Sequence, residues 1–291
     1  MFTKLSNSWE LTKQSWGVLR ADKHLMVFPL VSSILTTLVC VSFFVPTVIL
    51  MAPMMAKSGA QSSKDLPVEM QVLGFAVMFV LYFVINAIVV FFNAALIACA
   101  TARFNGEDSS AGAGLKAALR RWPQILGWAA VNATVGVALQ MLKEKAGWLG
   151  RIVLGLVGTA WNVATFFVVP ALVIEGVGPI KGVKRSFEVM RKTWGESLVT
   201  QVGVSAAMGL IGMLVFVPML LGGVALIVMA EQVVLGVVII GLGMLALLLL
   251  SLVGSTLKTI LQAACFRMAT TGLVPEGFEG TALKGMFGRK G

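Results

Sequence analysis

The chain is short of the residues on which most enzyme chemistry depends. Among 291 residues there is one histidine, three cysteines and three aspartates, and Asp, Glu, Lys and Arg together make up 12%. That is about half the charged share of a soluble domain. His24 sits in a charged stretch just before the first apolar run, where an interfacial role is expected. Asp22, Asp65 and Asp108 all fall outside the apolar runs, which excludes the carboxylate pair of an intramembrane aspartyl protease. No H-E-x-x-H, G-x-S-x-G or Walker loop occurs, so no set of nucleophile, base and metal is assembled by motif. The expectation is a non-enzymatic protein with no catalytic residue, no bound metal and no cofactor.

Two further absences narrow the field. Cys40, Cys99 and Cys265 are far apart in apolar surroundings and lack ligand spacing, which makes them packing residues. Gly176, Gly178 and Gly182 flank Lys181, and glycines beside lysines can cradle phosphate. The full spacing of a nucleotide loop is missing, however, and Gly with Pro179 reads as an ordinary turn. The net charge of +10 is not carried by any long basic stretch on a soluble fold, so nucleic acid is not an expected partner.

What the chain does have is apolar length. Hydrophobic residues make up 58% and the mean hydropathy is +0.92. A helix needs about twenty apolar residues to cross a bilayer core of about 30 Å. Six runs qualify, at 25–56, 70–102, 122–142, 152–174, 197–230 and 232–257. The predicted fold is all-α and polytopic, a single transmembrane domain of about six spans. Its first run starts only at Leu25, after Lys4, Lys13, Arg20 and Lys23, as in an uncleaved span rather than a secretory signal. The first, second and fifth runs exceed one straight span and must tilt or extend past the core. In the fifth, Pro218, Gly222 and Gly223 place the span before Pro218, with an outer or partly re-entrant connection after it.

Basic residues set the orientation, because cytoplasmic loops retain them. With the N-terminus inside, eighteen Lys and Arg fall on the cytoplasmic side and five outside. Both termini are therefore expected in the cytoplasm. Lys258, at the inner end of the last run, has a stem long enough to snorkel to the headgroups.

Three segments align on a tryptophan: SWELTKQSW ending at Trp16, GLKAALRRW ending at Trp122 and SFEVMRKTW ending at Trp194. In each, side chains seven and four residues before the tryptophan share a helical face, and basic residues precede the tryptophan. The pattern predicts three copies, at 8–106, 114–176 and 186–272, followed by a cytoplasmic tail at 273–291. Each copy is a cytoplasmic amphipathic helix in the interface, anchored by Trp16, Trp122 or Trp194, followed by a hairpin of two spans. The third has Lys184, Arg185, Arg191 and Lys192 around Val183, Phe187, Met190 and Trp194. These four basic residues are the candidate contacts to anionic lipid. Basic residues and tryptophan also collect at any cytoplasmic boundary, so a purely topological role is the plainer alternative.

Polar residues within spans normally face protein or water. Asn86 and Asn93 share a face of the second run, Asn132 lies on the third, and Thr159, Asn162 and Thr165 lie on the fourth. Under the repeat, Asn93, Asn162 and Gln262 all fall toward the cytoplasmic exit of a second span and would form one polar layer. Two readings stand: hydrogen-bonded glue between helices, or the lining of a solute pathway. Uncharged amides supply no charge to drive transport, which favours glue.

The blocks SWELTKQSWGVLRADKHLMVFP, FFNAALIACATARFNGE, WNVATFFVVPALVIEGVGP, KRSFEVMRKTWGE and CFRMATTGLVPEGF resemble a widespread bacterial family of uncharacterised multi-span integral membrane proteins. The similarity runs over nearly the whole chain. It implies a multi-span helical fold in a bacterial inner membrane and carries no assigned activity or catalytic residue. Tyrosines are common in the family near the last block, where this chain has Phe266 and Met268. The combined expectation is an inner-membrane protein that organises protein partners, a second copy of itself or anionic membrane lipids at the cytoplasmic face. A transporter or channel along the polar layer is the alternative.

Overall fold

The structure is a computed structural model that describes residues 2–58, 68–107, 109–192, 196–229 and 231–278, with the side chains of 2–9, 50–58, 70, 71, 192 and 196–207 left undescribed. Among the described residues all regular structure is helical. The order is α1 (Phe2–Ala21), a 3-10 turn (Lys23–Met26), α2 (Val27–Ser58), α3 (Val68–Phe104), α4 (Ala111–Arg120), α5 (Trp122–Lys145) and α6 (Trp148–Ala164). After these come α7 (Val168–Pro170), a π turn (Ala171–Glu175), α8 (Pro179–Lys192), α9 (Glu196–Met229) and α10 (Val233–Thr271).

Six stretches are long and apolar enough to cross a bilayer: Lys23–Ile49, Val72–Phe104, Trp122–Lys145, Trp148–Glu175, Met208–Met229 and Val233–Thr271. The protein is a multi-pass membrane protein. Large apolar side chains such as Val41, Phe44, Leu73, Leu156, Leu214 and Leu242 stand exposed along these helices, as expected of surfaces solvated by lipid rather than water.

The fifth span departs from the sequence expectation. α9 runs through Pro218 to Met229 without interruption, so no re-entrant connection follows the proline. Of the glycines expected to break the helix, Gly223 instead brings it against its neighbour, while Gly222 faces open space. A Cβ on Gly223 would lie 2.8 Å from the Gly236 carbonyl oxygen, and one on Gly236 would lie 2.5 Å from the Gly223 oxygen. Contact this close, backbone on backbone, is how membrane helices gain packing where lipid supplies no hydrophobic drive between them. α10 then follows at once and runs 39 residues, roughly 58 Å at 1.5 Å per residue. Its end at Thr271 lies well past the predicted exit at Leu257, and Gly272 closes it in the left-handed region at φ 72°.

The chain divides into two compact units. One comprises Met1–Pro29, Cys99–Ala111 and Arg191–Gly291. In it α1 packs on α9 and α10, and the core holds Leu11, Leu19, Leu25, Phe28, Phe104, Phe266 and Phe278. The segment after α10 is part of this core as far as it is described, because Phe278 meets Phe104 edge to face at 5.8 Å. Beyond Phe278 the expected tail lies outside the described residues. The other unit comprises Leu30–Ala98 and Gly112–Met190, with Ile125, Trp128, Phe167, Leu172, Val189 and Met190 buried.

The helices α1, α4 and α8 overlap the tryptophan-aligned segments, and on α4 and α8 the side that meets protein is marked by small residues. Four residues before the tryptophan, Thr12, Ala118 and Met190 are all buried. Seven before it, Leu115 is only half-buried and Phe187 is exposed. Small residues eight before it, Gly114 and Ser186, are buried instead. The reason is close packing: Gly182 on α8 faces Val168 and Leu172 with no room to spare, so small side chains, not aromatic ones, meet the protein. Trp16 is 48% exposed and Trp122 56% exposed; Trp194 lies outside the described residues.

Candidate functional site

The fourth span supplies the most irregular backbone. α6 stops at Ala164, and the helix resumes at Val168 before loosening into the π turn. Such a break would orphan polar groups inside a membrane protein. Ser186 on α8 satisfies them: its hydroxyl donates to the Ala164 carbonyl at 2.7 Å and accepts from the Phe167 N–H at 2.9 Å. Ser186 is fully buried, so α8 takes the place of the missing helical turn.

Below the break an ion pair fixes the same helix. Arg185 grips Glu175 with Nε and Nη2 at 2.8–3.0 Å and reaches Glu188 at 3.5 Å. Hydrogen bonding to Glu175, opposed by a little desolvation and aided by the charges of both carboxylates, raises the Arg185 pKa above the ordinary guanidinium value. Gly176 ends the π turn in the left-handed region at φ 69°, and the Arg121 guanidinium lies where its Cβ would be, 2.6 Å away. A cation at a helix C-terminus is favourable, and only glycine admits it here.

Higher in this unit a polar chain joins three helices. Trp161 Nε1 donates to Asn132 Oδ1 at 3.3 Å, Asn132 Nδ2 donates to Asn86 Oδ1 at 2.6 Å, and Asn86 Nδ2 donates to the Tyr82 carbonyl at 2.8 Å. The Trp128 and Trp161 rings stack at 6.1 Å, and Tyr82 lies across Gly136. Thr134, Thr159 and Thr165 return their hydroxyls to carbonyls four residues back. The Asn132–Asn86 and Trp161–Asn132 bonds cross between helices, whereas the threonines bond within their own.

In the other unit, three parts of the chain meet at the turn after α1. Arg103 approaches Asp22 at 3.6 Å, and Ser109 Oγ lies 3.4 Å from both Asp22 Oδ2 and His24 Nε2. Arg267 on α10 donates to Asn105. Serine, histidine and aspartate are thus adjacent, but in the wrong order for a relay. The carboxylate meets the serine, whereas nucleophile activation needs it on the far nitrogen of the imidazole. The arrangement ties the loop after α3 to the turn before α2. Among the described residues no three His, Cys, Asp or Glu side chains come together as metal ligands. Cys40, Cys99 and Cys265 form no disulfide.

A family model matches residues 72–276, well over half of the chain, and describes a family of unknown function, DUF6159. The chain belongs to the DUF6159 family. No curated protein matches it. The matched region of this DUF6159 member runs from inside α3 to the turn after α10, and so contains the broken fourth span, Ser186, the Arg185–Glu175 pair and the asparagine chain.

The residues singled out from sequence are placed unevenly. Asn93 is half-buried on α3, Asn162 is exposed on α6, and no hydrogen bond joins them among the described residues. Gln262 is half-buried on α10 in the other unit. The amides that do pair are Asn86 and Asn132. Lys184 and Arg191 are exposed, Arg185 is held by its two glutamates, and the Lys192 side chain lies outside the described residues. Sequence reasoning missed Ser186 as the closure of a broken span. Its signal was a serine, eight before the tryptophan, on the face that small residues occupy.

Proposed function

We propose that this DUF6159 protein is a non-enzymatic organiser of the bacterial inner membrane, with both termini cytoplasmic, whose helices α1, α4 and α8 rest on anionic lipid and present a surface to protein partners or a second copy. One observation carries the reading. Ile180, Lys184, Phe187 and Arg191 recur at helical spacing along α8, and all four are exposed, Ile180 at 80% and Phe187 at 54%. The opposite face, Gly182, Ser186 and Val189, is buried. A stripe that alternates apolar and basic side chains with nothing of its own unit over it suits an interfacial surface, and each basic residue near an anionic leaflet contributes about 1 kcal/mol. The corresponding exposure of Trp16 and Trp122 supports a threefold repeat of this helix ahead of each pair of spans.

Full-length protein in nanodiscs of mixed neutral and acidic lipid provides the test. The double substitution Lys184→Gln and Arg191→Gln should weaken acidic-lipid enrichment around the protein, and rising salt should do the same to the unaltered chain. Enrichment unchanged by both would leave these charges with a topological role. Orientation is tested separately with single cysteines in a background lacking Cys40, Cys99 and Cys265: Gly147→Cys should label from outside intact cells, and Ser110→Cys and Lys181→Cys, both at exposed positions, should not.

The interruption at 165–167 favours a second reading, since transporters place their sites at broken helices. Ser186 answers the broken backbone with protein rather than solute, which is why the organiser is preferred. A conductance or uptake signal lost on Ser186→Ala, with folding intact, would reverse that order.

A further inference from the structure

α9 and α10 lie antiparallel, closed at one end and open at the other. Toward their connection the pair is tight, with Gly223 and Gly236 in backbone contact and Gly243 facing Phe216 and Met219. Toward the other end the two helices line a cavity of about 530 Å³, within the range of about 300–1,000 Å³ typical of ligand sites. Its walls are largely apolar, formed by Met208, Met213, Phe216, Leu247 and Leu250 among others; Gly209 leaves open space, while Gly212 lies against Leu247 and Gly254 against Met208. At its end lies Lys258, beside Ser251 and Ser255. Lys258 is half-buried and has no ion pair among the described residues; the Ser255 hydroxyl is returned to the Leu252 carbonyl, which leaves the ammonium as the charged group of the cavity.

We propose that this groove binds one acyl chain of an anionic phospholipid, with the lipid phosphate on the Lys258 ammonium. Three properties select that occupant. The walls belong to membrane-crossing helices, so the neighbouring medium is lipid. The described walls are apolar from Met208 and Met213 to Phe216 and Leu250, and the polar side chains, Ser251, Ser255 and Lys258, are gathered at one end. The single cation stands where α10 passes from its exposed apolar half to its buried half, so that charge and hydrocarbon are ordered as they are in a phospholipid. A zwitterionic lipid fills the same groove but brings its own cation to Lys258. The site is on α9 and α10 and does not depend on the reading of α8.

Full-length protein, delipidated in detergent, is titrated with phosphatidylglycerol or phosphatidylcholine and read by native mass spectrometry. Phosphatidylglycerol should give one adduct that outlasts the rest. Lys258→Gln should lower its occupancy about fivefold, as loss of one lysine–phosphate contact implies, and Lys258→Arg should keep it. Gly209→Leu, at a position with open space around its Cβ, should fill the groove and remove the adduct with the charge intact. A diazirine on the acyl chain should crosslink the unaltered protein within 208–217 or 247–258, a readout that needs no variant to fold. Equal occupancy in Lys258→Gln, crosslinks elsewhere, or displacement of the lipid by inorganic phosphate alone would overturn the proposal.

Discussion

α10 is a single helix in two surroundings. From Val233 to Ser251 only Gly236 and Gly243 are buried, and side chains such as Val234, Leu242, Met244 and Leu249 stand exposed. From Leu252 to Met268 the helix is largely buried, with Leu257, Ile260, Ala263, Ala264 and Phe266 in the core of its unit. Both halves are apolar in sequence, yet one is solvated by lipid and the other by protein. Hydropathy measures only the distance from water. What separates the halves is size and polarity: Leu, Val and Ile dominate the first, while Gly254, Thr256, Thr259, Ala263 and Ala264 mark the second. Small residues let helices approach, and hydroxyls bond back to their own helix, as Thr256 does to Leu252 and Thr259 to Ser255.

The strongest way to break this comparison is to shorten a side chain in each half. Phe266→Ala should cost about 3–5 kcal/mol of stability, as for a buried aromatic, while Leu249→Ala should stay within about 0.5 kcal/mol, as at a surface. Thermal unfolding of both variants in the same lipid nanodiscs makes the measurement. Equal losses would place the exposed half inside a protein interface.

A smaller effect is expected where the exposed half does touch protein. Gly236→Ala drives a methyl into the Gly223 carbonyl and should destabilise by about 1–3 kcal/mol, the range for overpacking. Gly241→Ala, with nothing within 4 Å of its Cβ, should be neutral or slightly stabilising, since alanine favours helix. Ser186→Ala, in the other unit, removes the hydroxyl that bonds both the Ala164 carbonyl and the Phe167 N–H and should also cost about 1–3 kcal/mol. Ser186→Thr restores the hydroxyl but adds a methyl to a fully buried site and should recover only part of that.

The smallest effect is expected from the intramembrane amides. Asn132→Leu should lower stability by about 0.6–2 kcal/mol, the range for interhelical hydrogen bonds in lipid. Asn93→Leu and Asn162→Leu, which remove no hydrogen bond described here, should change it less. The reverse order would support the polar layer of Asn93, Asn162 and Gln262 expected from sequence.

Much of the fold was legible because six apolar runs and the scarcity of charge admit few alternatives. Boundaries were less so. Pro218 and Gly223 carry the same letters whether they break a helix or pack it, and only the presence of Gly236 opposite decides between them. Which residues of α4 and α8 meet protein was not legible, because Gly114 and Ser186 provide the contact and small side chains carry no apolar signal of burial. Asn86 and Asn132 were visible as polar residues in spans, but their pairing depends on the register between α3 and α5, which periodicity within one helix does not encode. Arg185 could not be separated from Lys184 and Arg191 by charge. It is set apart by Glu175, ten residues back across a turn.

The central claim is that the exposed stripe of α8 lies on the membrane, and a probe at its centre tests this most directly. An environment-sensitive fluorophore on Phe187→Cys, with the native cysteines replaced, is read in nanodiscs containing acidic lipid and nitroxide quenchers at known depths. The account predicts blue-shifted emission quenched most strongly by headgroup-level nitroxides, with the shift reduced in Lys184→Gln/Arg191→Gln and at high salt. Emission at the aqueous wavelength, quenched by soluble iodide and not by lipid-borne nitroxides, would contradict it.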